Sequence, residues 1–412
     1  MDRRDFLQKL SASAATIGAL SVLSADGQQA RPVDVETERQ TAMTQEKTPM
    51  RLGIIGPGSR GKELVRSFLR VPGVRIAAAA DVYPVRFAQL DQVCGYDVAR
   101  HADYRALLDR KDLDAVIVST PLGLHAEHVL ASLSAGRHVY GEKAEAYTVD
   151  QCKQIVAAVA EHKRIFQIGH QYRYSPWIRA AIARVQRGEI GDVTLIQGYW
   201  HRNNDWRRPV PDPSLERLIN WRLYNQWSRG LFAELGSHHI DLANWVFDAA
   251  PEAALGSGSI VRYHDGRETD DNAQAILTYP GGRHFAFTST TDNAKMGDQI
   301  WFYGSKGSLN LTLEDATFFY EPKKIERPAP NGKGTVTSAS YNPRNEMPYR
   351  GAGTAVTVTP EDPTTAATRA FIYCVRHNVT PIADVHVGYR SALGVIQACE
   401  SRKTHTQVTI PA

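Results

Sequence analysis

The sequence predicts an α/β protein in two domains: a doubly wound parallel sheet, then an α+β domain carrying a large, mainly antiparallel sheet. Three observations carry this. Apolar runs of strand length alternate with helix-like segments between Leu52 and Gly169. A glycine-rich turn joins the first run to the first helix. Beyond Pro251, short strand-like runs succeed one another across Gly and Pro turns. A chain of 412 residues also exceeds what one core usually supports.

The first element is the most specific. Residues 51–61 read Arg-Leu-Gly-Ile-Ile-Gly-Pro-Gly-Ser-Arg-Gly. The apolar run enters Gly56-x-Gly58-x-x-Gly61, and a helical segment over 62–70 follows. The first glycine permits a tight turn, the second lets a pyrophosphate approach the backbone, and the third lets helix pack on strand. The helix N-terminus offers unpaired N–H groups and a positive dipole end to phosphates. A second run, 74–80, ends in Asp81, about 20 residues beyond the glycines, where an acid binds the ribose hydroxyls. This is a Rossmann dinucleotide-binding signature. Its expected cofactor contacts are Gly56, Pro57, Gly58, Ser59, Arg60, Gly61 and Asp81. An acid at this position repels a 2′-phosphate, so NAD is expected rather than NADP.

The alternation then continues. A strand over 114–121 ends at the carboxyl edge, where such sheets bind ligands, and a helix over 122–135 stops at Gly136. A short strand over 137–140 runs into Gly141-Glu142-Lys143, and a helix over 149–163 and a strand over 164–169 complete the pattern. Residues 50–172 form the dinucleotide domain and 173–412 the second domain. A formal net charge of +4, evenly spread, argues against nucleic acid. Four cysteines without CxxC spacing argue against a zinc site or a disulfide framework.

The chain opens with Asp2-Arg3-Arg4-Asp5-Phe6-Leu7 and a short, weakly apolar run to Ala25. This reads as a twin-arginine export signal over 1–30, followed by a polar linker over 31–49. The run is too short and too polar to span a bilayer, so no membrane span is expected in the mature form. The protein is expected in the periplasm or outside the cell. Twin-arginine export carries folded proteins, and free dinucleotide is scarce outside the cytoplasm. An exported dinucleotide protein must therefore hold its own cofactor tightly and restore its redox state within each cycle.

Three segments now converge. Gly56-x-Gly58-x-x-Gly61, Ser119-Thr120-Pro121-x-x-x-His125 and Gly136-x-His138-Val139-x-x-Glu142-Lys143 together resemble the glucose–fructose oxidoreductase / inositol dehydrogenase (Gfo/Idh/MocA) family. The resemblance adds Thr120, His125, Glu142 and Lys143 to the cofactor set. It implies that Lys143 sits by the nicotinamide and the reacting hydroxyl, stabilising a developing alkoxide or sharing in proton transfer. The family usually has Glu-Lys-Pro. Here Ala144 replaces the proline, which leaves the turn less constrained or its peptide geometry altered.

Ala233-Glu234-Leu-Gly236-Ser-His238-His-Ile-Asp241 resembles the family's second motif, an acid, three residues, His, two residues, Asp. On a helix Glu234 and His238 share a face, so the acid can orient the imidazole as general base. Catalysis is thus assigned to Lys143, His238 and Glu234. Glu234, His238, His239 and Asp241 could instead ligate a metal, but the proton relay is the reading adopted and no metal is expected. Loop-like sequence dense in Trp, Tyr, Arg and Asn, over 171–176, 200–208 and 220–224, suits a small carbohydrate. Tyr172, Arg173, Trp206, Arg207, His238 and Asp241 are its expected contacts.

Strands are expected over 255–263, 271–279, 284–290, 299–304 and 308–313, and helices over 364–376 and 387–401. Residues 322–362 read as a long loop or insertion. The resemblance implies an open sheet whose exposed face joins subunits, hence a homodimer or homotetramer. The expected activity is NAD-dependent oxidation of a sugar, polyol or glycoside. The alternative is redox-neutral glycoside hydrolysis through oxidation, elimination, hydration and reduction. A cofactor-bearing sensor would need neither Lys143 nor His238.

Overall fold

The computed structural model describes residues 49–321 and 353–410. The expected export signal, the expected linker up to residue 48 and residues 322–352 of the expected insertion lie outside the described residues. The first sheet is wholly parallel, in the order β3-β2-β1-β4-β5-β6. Its strands are β1 (Met50–Ile55), β2 (Val74–Ala80), β3 (Ala99–His101), β4 (Ala115–Val118), β5 (His138–Gly141) and β6 (Phe166–Ile168). Its helices are α1 (Ser59–Phe68), α2 (Val85–Cys94), α3 (Tyr104–Leu108), α4 (His125–Ser134) and α5 (Val149–His162). Buried on both faces, β4 is a continuous Ala-Val-Ile-Val run, as parallel strands require. The strand order reverses between β1 and β4, so their carboxyl ends open the crevice that binds ligands in such folds. The helix expected over 122–135 is broken: Leu122–Leu124 form a 3₁₀ turn before α4.

Two elements ahead of the second domain's antiparallel run were not anticipated. Ser175 caps α6 (Pro176–Gln186), accepting from the Ile178 N–H, with proline in the first turn where its missing donor costs nothing. Strand β7 (Val193–His201) lies at the heart of the second sheet, so Trp200 and His201 belong to a strand and not to the expected loop. A helix α7 (Ser237–Phe247) follows. The nine-stranded sheet runs β14-β13-β12-β11-β7-β10-β9-β8-β15. It comprises β8 (Ala253–Ser259), β9 (Asn272–Tyr279), β10 (Arg283–Thr290), β11 (Asp298–Gly304), β12 (Gly307–Thr312), β13 (Ala316–Tyr320), β14 (Thr354–Ala355) and β15 (Val408–Thr409). Only the β7–β10 pair is parallel.

Helices α8 (Pro363–His377) and α9 (Val385–Thr404) lie between β14 and β15. Helix α8 returns to the first domain, where Phe371, Ile372 and Cys374 share a core with Leu52, Leu64 and Phe68. Helix α9 packs on α5 and β6 of that domain and on α7 and β8 of the second. The C-terminal segment therefore serves both cores.

Candidate active site

One cleft of about 1700 Å³ runs from the glycine turn to the start of α7, walled by both domains. At its phosphate end, Gly56 has φ +85°, and a Cβ there would lie 2.9 Å from the Ser119 carbonyl oxygen. A Cβ on Gly61 would lie 2.5 Å from the Gly56 oxygen, whereas one on Gly58 would meet nothing within 4 Å. The turn is thus closed on its protein side and open on its cleft side. Helix α1 begins without a side-chain cap, leaving its first N–H groups to a ligand. Arg60 Nη2 is buried without a partner. These features fit a dinucleotide diphosphate. Gly61→Ala should destabilise the fold by at least about 1–3 kcal/mol, because the clash is with backbone, and should empty the cleft of nucleotide. Calorimetry and the nucleotide content of the purified variant check this; a wild-type melting temperature would refute it.

Ser59, Asp81, Thr120, His125, Glu142 and Lys143 line the same cleft, whereas the expected Pro57 does not. Asp81 closes β2 with its carboxylate nearly buried, accepting from the Tyr83 N–H at 2.8 Å and from Arg86 Nη1 at 2.9 and 3.1 Å. Arg60 Nε donates to Glu142 at 2.8 Å. Burial opposes that guanidinium's charge, but Glu142 and its neighbours raise its pKa overall. Thr120 Oγ1 lies 3.1 Å from His128 Nδ1. His125 is a strut: Nδ1 lies 2.8 Å from the Ala144 carbonyl oxygen and Nε2 2.9 Å from that of Thr120. The Lys143–Ala144 peptide is cis.

At the reacting end, Lys143 Nζ donates to the carbonyls of Glu234 at 2.5 Å and Ala233 at 3.3 Å, leaving one of its three N–H bonds for a substrate. Burial lowers its pKa, with Glu234 and Glu142 opposing. His238 stands one turn further on. Burial, and then the Lys143 ammonium, push its pKa well below 6.5, so the imidazole is neutral and can accept a proton. Its Nδ1 has no partner. The expected contact with Glu234 is absent. The residues Phe232–Gly236 form a π turn, and the Glu234 carboxylate accepts instead from Arg222 Nε at 2.8 Å and Ser228 Oγ at 3.0 Å. A guanidinium outcompetes a neutral imidazole for a carboxylate. Burial disfavours the Glu234 charge, but Arg222 and Lys143 bring its pKa below the usual value. Glu234 is therefore a charge neighbour of Lys143, not the orienter of His238.

Aromatic rings hold His238 in place instead. Tyr172 stacks on it at 4.7 Å, with Trp200 behind at 5.5 Å and His170 edge-on at 5.8 Å. Tyr172 donates to Asp298 Oδ2 at 2.7 Å, and His239 Nε2 bonds Asp298 Oδ1 at 2.8 Å. Tyr172 therefore packs against the base. Arg173 and Asp241 do not reach the cleft. They form a buried forked ion pair at 2.8–3.0 Å, which corrects their assignment to substrate. Arg207 lines the cleft, with its guanidinium held by Asp265 at 2.8 Å and by Glu216. Trp206, at φ +62°, lines the cleft where the chain turns. His170, Arg202, Arg208 and Arg222 were not singled out. For His170 the available signal was position, since it follows the last strand of the first domain and immediately precedes Gln171-Tyr172.

A parallel 3-2-1-4-5-6 sheet with this glycine turn and the Lys143 ammonium just after β5, joined to a second domain whose α7 brings the His238 imidazole to the same cleft, defines a two-domain nicotinamide-dependent oxidoreductase. Residues 50–170 match the oxidoreductase family's NAD-binding Rossmann fold, and residues 178–310 match the GFO/IDH/MocA C-terminal domain. The chain belongs to the GFO/IDH/MocA family, and its first domain binds NAD. It is similar to a levoglucosan dehydrogenase from Pseudarthrobacter phenanthrenivorans, 25% identical over 297 residues that cover 64% of this chain and 74% of the relative. A 2,7-anhydro-N-acetylneuraminate hydratase from Mediterraneibacter gnavus is 29% identical over 276 residues, covering 64% and 67%. The solved structure of levoglucosan dehydrogenase with NADH and levoglucosan shares the fold, with a TM-score of 0.70 at 19% identity over 89% of this chain and 100% of that one.

Proposed function

We propose that this protein oxidises a CH–OH group of a sugar, polyol or glycoside. The reading rests on Lys143, with one N–H left over, and His238, whose Nδ1 has no partner among the described residues, both lining the cleft that takes the dinucleotide. His238, neutral and pinned by Tyr172, takes the hydroxyl proton, and Lys143 holds the oxygen as negative charge develops. NAD, bound along the glycine turn, supplies a hydride acceptor at this end. Asp81 supports NAD over NADP, with Arg86 sharing its carboxylate. The relatives named for sugar chemistry support the substrate class.

A second reading is redox-neutral cleavage of a glycoside. It is favoured by the relative named for a hydration, a reaction with no net change of oxidation state, and by the twin-arginine pattern at Arg3-Arg4. We place the mature protein outside the cytoplasm with its cofactor retained. The test uses protein purified without added nucleotide, mixed with sugars and aryl glycosides while nicotinamide absorbance and aglycone release are followed together. A single stoichiometric reduction that resumes only when an acceptor sugar is added supports the oxidoreductase. Aglycone release over many turnovers without net change in bound cofactor supports the hydrolase. No reaction with any sugar or glycoside sinks both.

The uncovered face of the second sheet is the proposed subunit interface. Leu255 and Ile276, 47% and 46% exposed, are paired across β8 and β9, and Trp301, Tyr303 and Phe319 stack on the same face. Ile276→Asp should shift a dimer or tetramer towards monomer in light scattering. A wild-type chain that is monomeric at micromolar concentration would refute the interface.

A further inference from the structure

The diphosphate end of the cleft has a second wall, supplied by residues 202–222 of the second domain. This segment is pinned at several points. Asn220, 3% exposed, accepts from the Arg208 N–H at 2.7 Å and donates to the Arg208 carbonyl at 3.0 Å and to Glu216 at 2.9 Å. Arg207 is tied to Asp265 and Glu216, and Arg267 donates to the Asp205 carbonyl at 2.8 Å. So fixed, the segment carries Arg208 across to the first domain, where Nη1 donates to Ser59 Oγ at 3.1 Å. Ser59 is the first residue of α1, beside the open side of Gly58.

Arg208 has no carboxylate partner among the described residues, whereas Arg60, Arg86, Arg207 and Arg222 each have at least one. Burial lowers its pKa, Arg222 and Arg86 add to that effect, and Glu63 opposes it without reversing it. Lys62 is lowered by burial and by Arg66, Arg86 and Arg208. Cations have been gathered around a helix N-terminus with too few anions to balance them.

We propose that Arg208 binds the diphosphate of the dinucleotide from the side opposite the glycine turn, making residues 202–222 a strap that retains the cofactor. The proposal builds on the retained NAD of the proposed function and gives retention a physical cause. Two domains then hold one anion, and release requires the Arg208–Ser59 bridge to open first. The strap adds a charge-assisted bond to an already bound phosphate, so its loss should appear mainly as faster dissociation.

The test compares wild type, Arg208→Ala, Arg208→Gln and Asn220→Ala by nucleotide content after purification and dialysis, and by calorimetric titration of stripped protein with NADH, ADP and adenosine. Arg208→Ala should weaken NADH and ADP binding by about 10- to 100-fold and leave adenosine, which has no phosphate, unchanged. Asn220→Ala keeps the charge but frees the backbone that carries it, so it should speed NADH dissociation. If Arg208→Ala does not fold, judged by circular dichroism, the near-isosteric Arg208→Gln carries the same expectation. Wild-type affinity for ADP in the arginine variants, or an equal loss of adenosine and ADP, overturns the proposal. Wild-type protein purified without nucleotide counts against cofactor retention and leaves the ADP comparison to decide the role of Arg208.

Discussion

His238→Ala is expected to lower turnover by about 10²- to 10⁴-fold while the bound dinucleotide stays in place. The imidazole is a neutral acceptor at the reacting end of the cleft, and no side chain among the described residues is hydrogen-bonded to its Nδ1 that could take over its proton. Its pKa lies well below 6.5, so the acid limb of kcat/KM should also lie well below pH 6.5. Activity rises as pH climbs through the pKa of the group that must be unprotonated. A variant that still turns over at the wild-type rate would move the proton to Lys143. Loss of bound NAD along with activity would instead make His238 a cofactor contact.

Lys143→Met should cost about 10²- to 10³-fold in kcat, since it removes the one ammonium at the reacting end and keeps a side chain of similar length. Its pH profile is the sharper readout. The ammonium must be protonated to act, so activity is lost as pH rises through the Lys143 pKa, which burial places below 10.5. That alkaline limb should disappear in the variant. The same ammonium is the second cause, after burial, of the low His238 pKa, so the acid limb should move up towards 6.5. An acid limb that stays where it was would mean that the two groups do not share a field, and the catalytic pairing would fail.

The cofactor end was legible because its constraints are local. Gly56, Gly58 and Gly61 are required by a turn and a close packing that nearby residues impose, and Asp81 follows from the length of one helix and one strand. The reacting end was legible in its members but not in their contacts. Glu234 and His238 have helical spacing, yet the intervening π turn and an arginine twelve residues earlier decide where the carboxylate goes. The Arg173–Asp241 pair joins residues 68 apart, and no periodicity reports such a partner. Arg207 and Arg208 are adjacent and chemically identical. Only the strap's fixed backbone sends one to Asp265 and the other to Ser59.

The placement of α8 bears on the order in which this chain can acquire structure. The hydrophobic core that supports β1 and α1 includes Phe371, which meets Phe68 at 6.0 Å and Tyr140 at 5.7 Å. Gln167, in β6, donates to the Ala367 carbonyl at 2.9 Å. Domains usually fold as units, the N-terminal one first as it leaves the ribosome. Here the N-terminal unit stays incomplete until residues 363–377 have been made, with an apolar groove open between α1 and the edge of its sheet. Loop closure across some 300 residues then makes assembly a late event that spans both domains. A nucleotide site resting on that core would take shape only once α8 is in place, so cofactor capture and closure of that core would coincide in time.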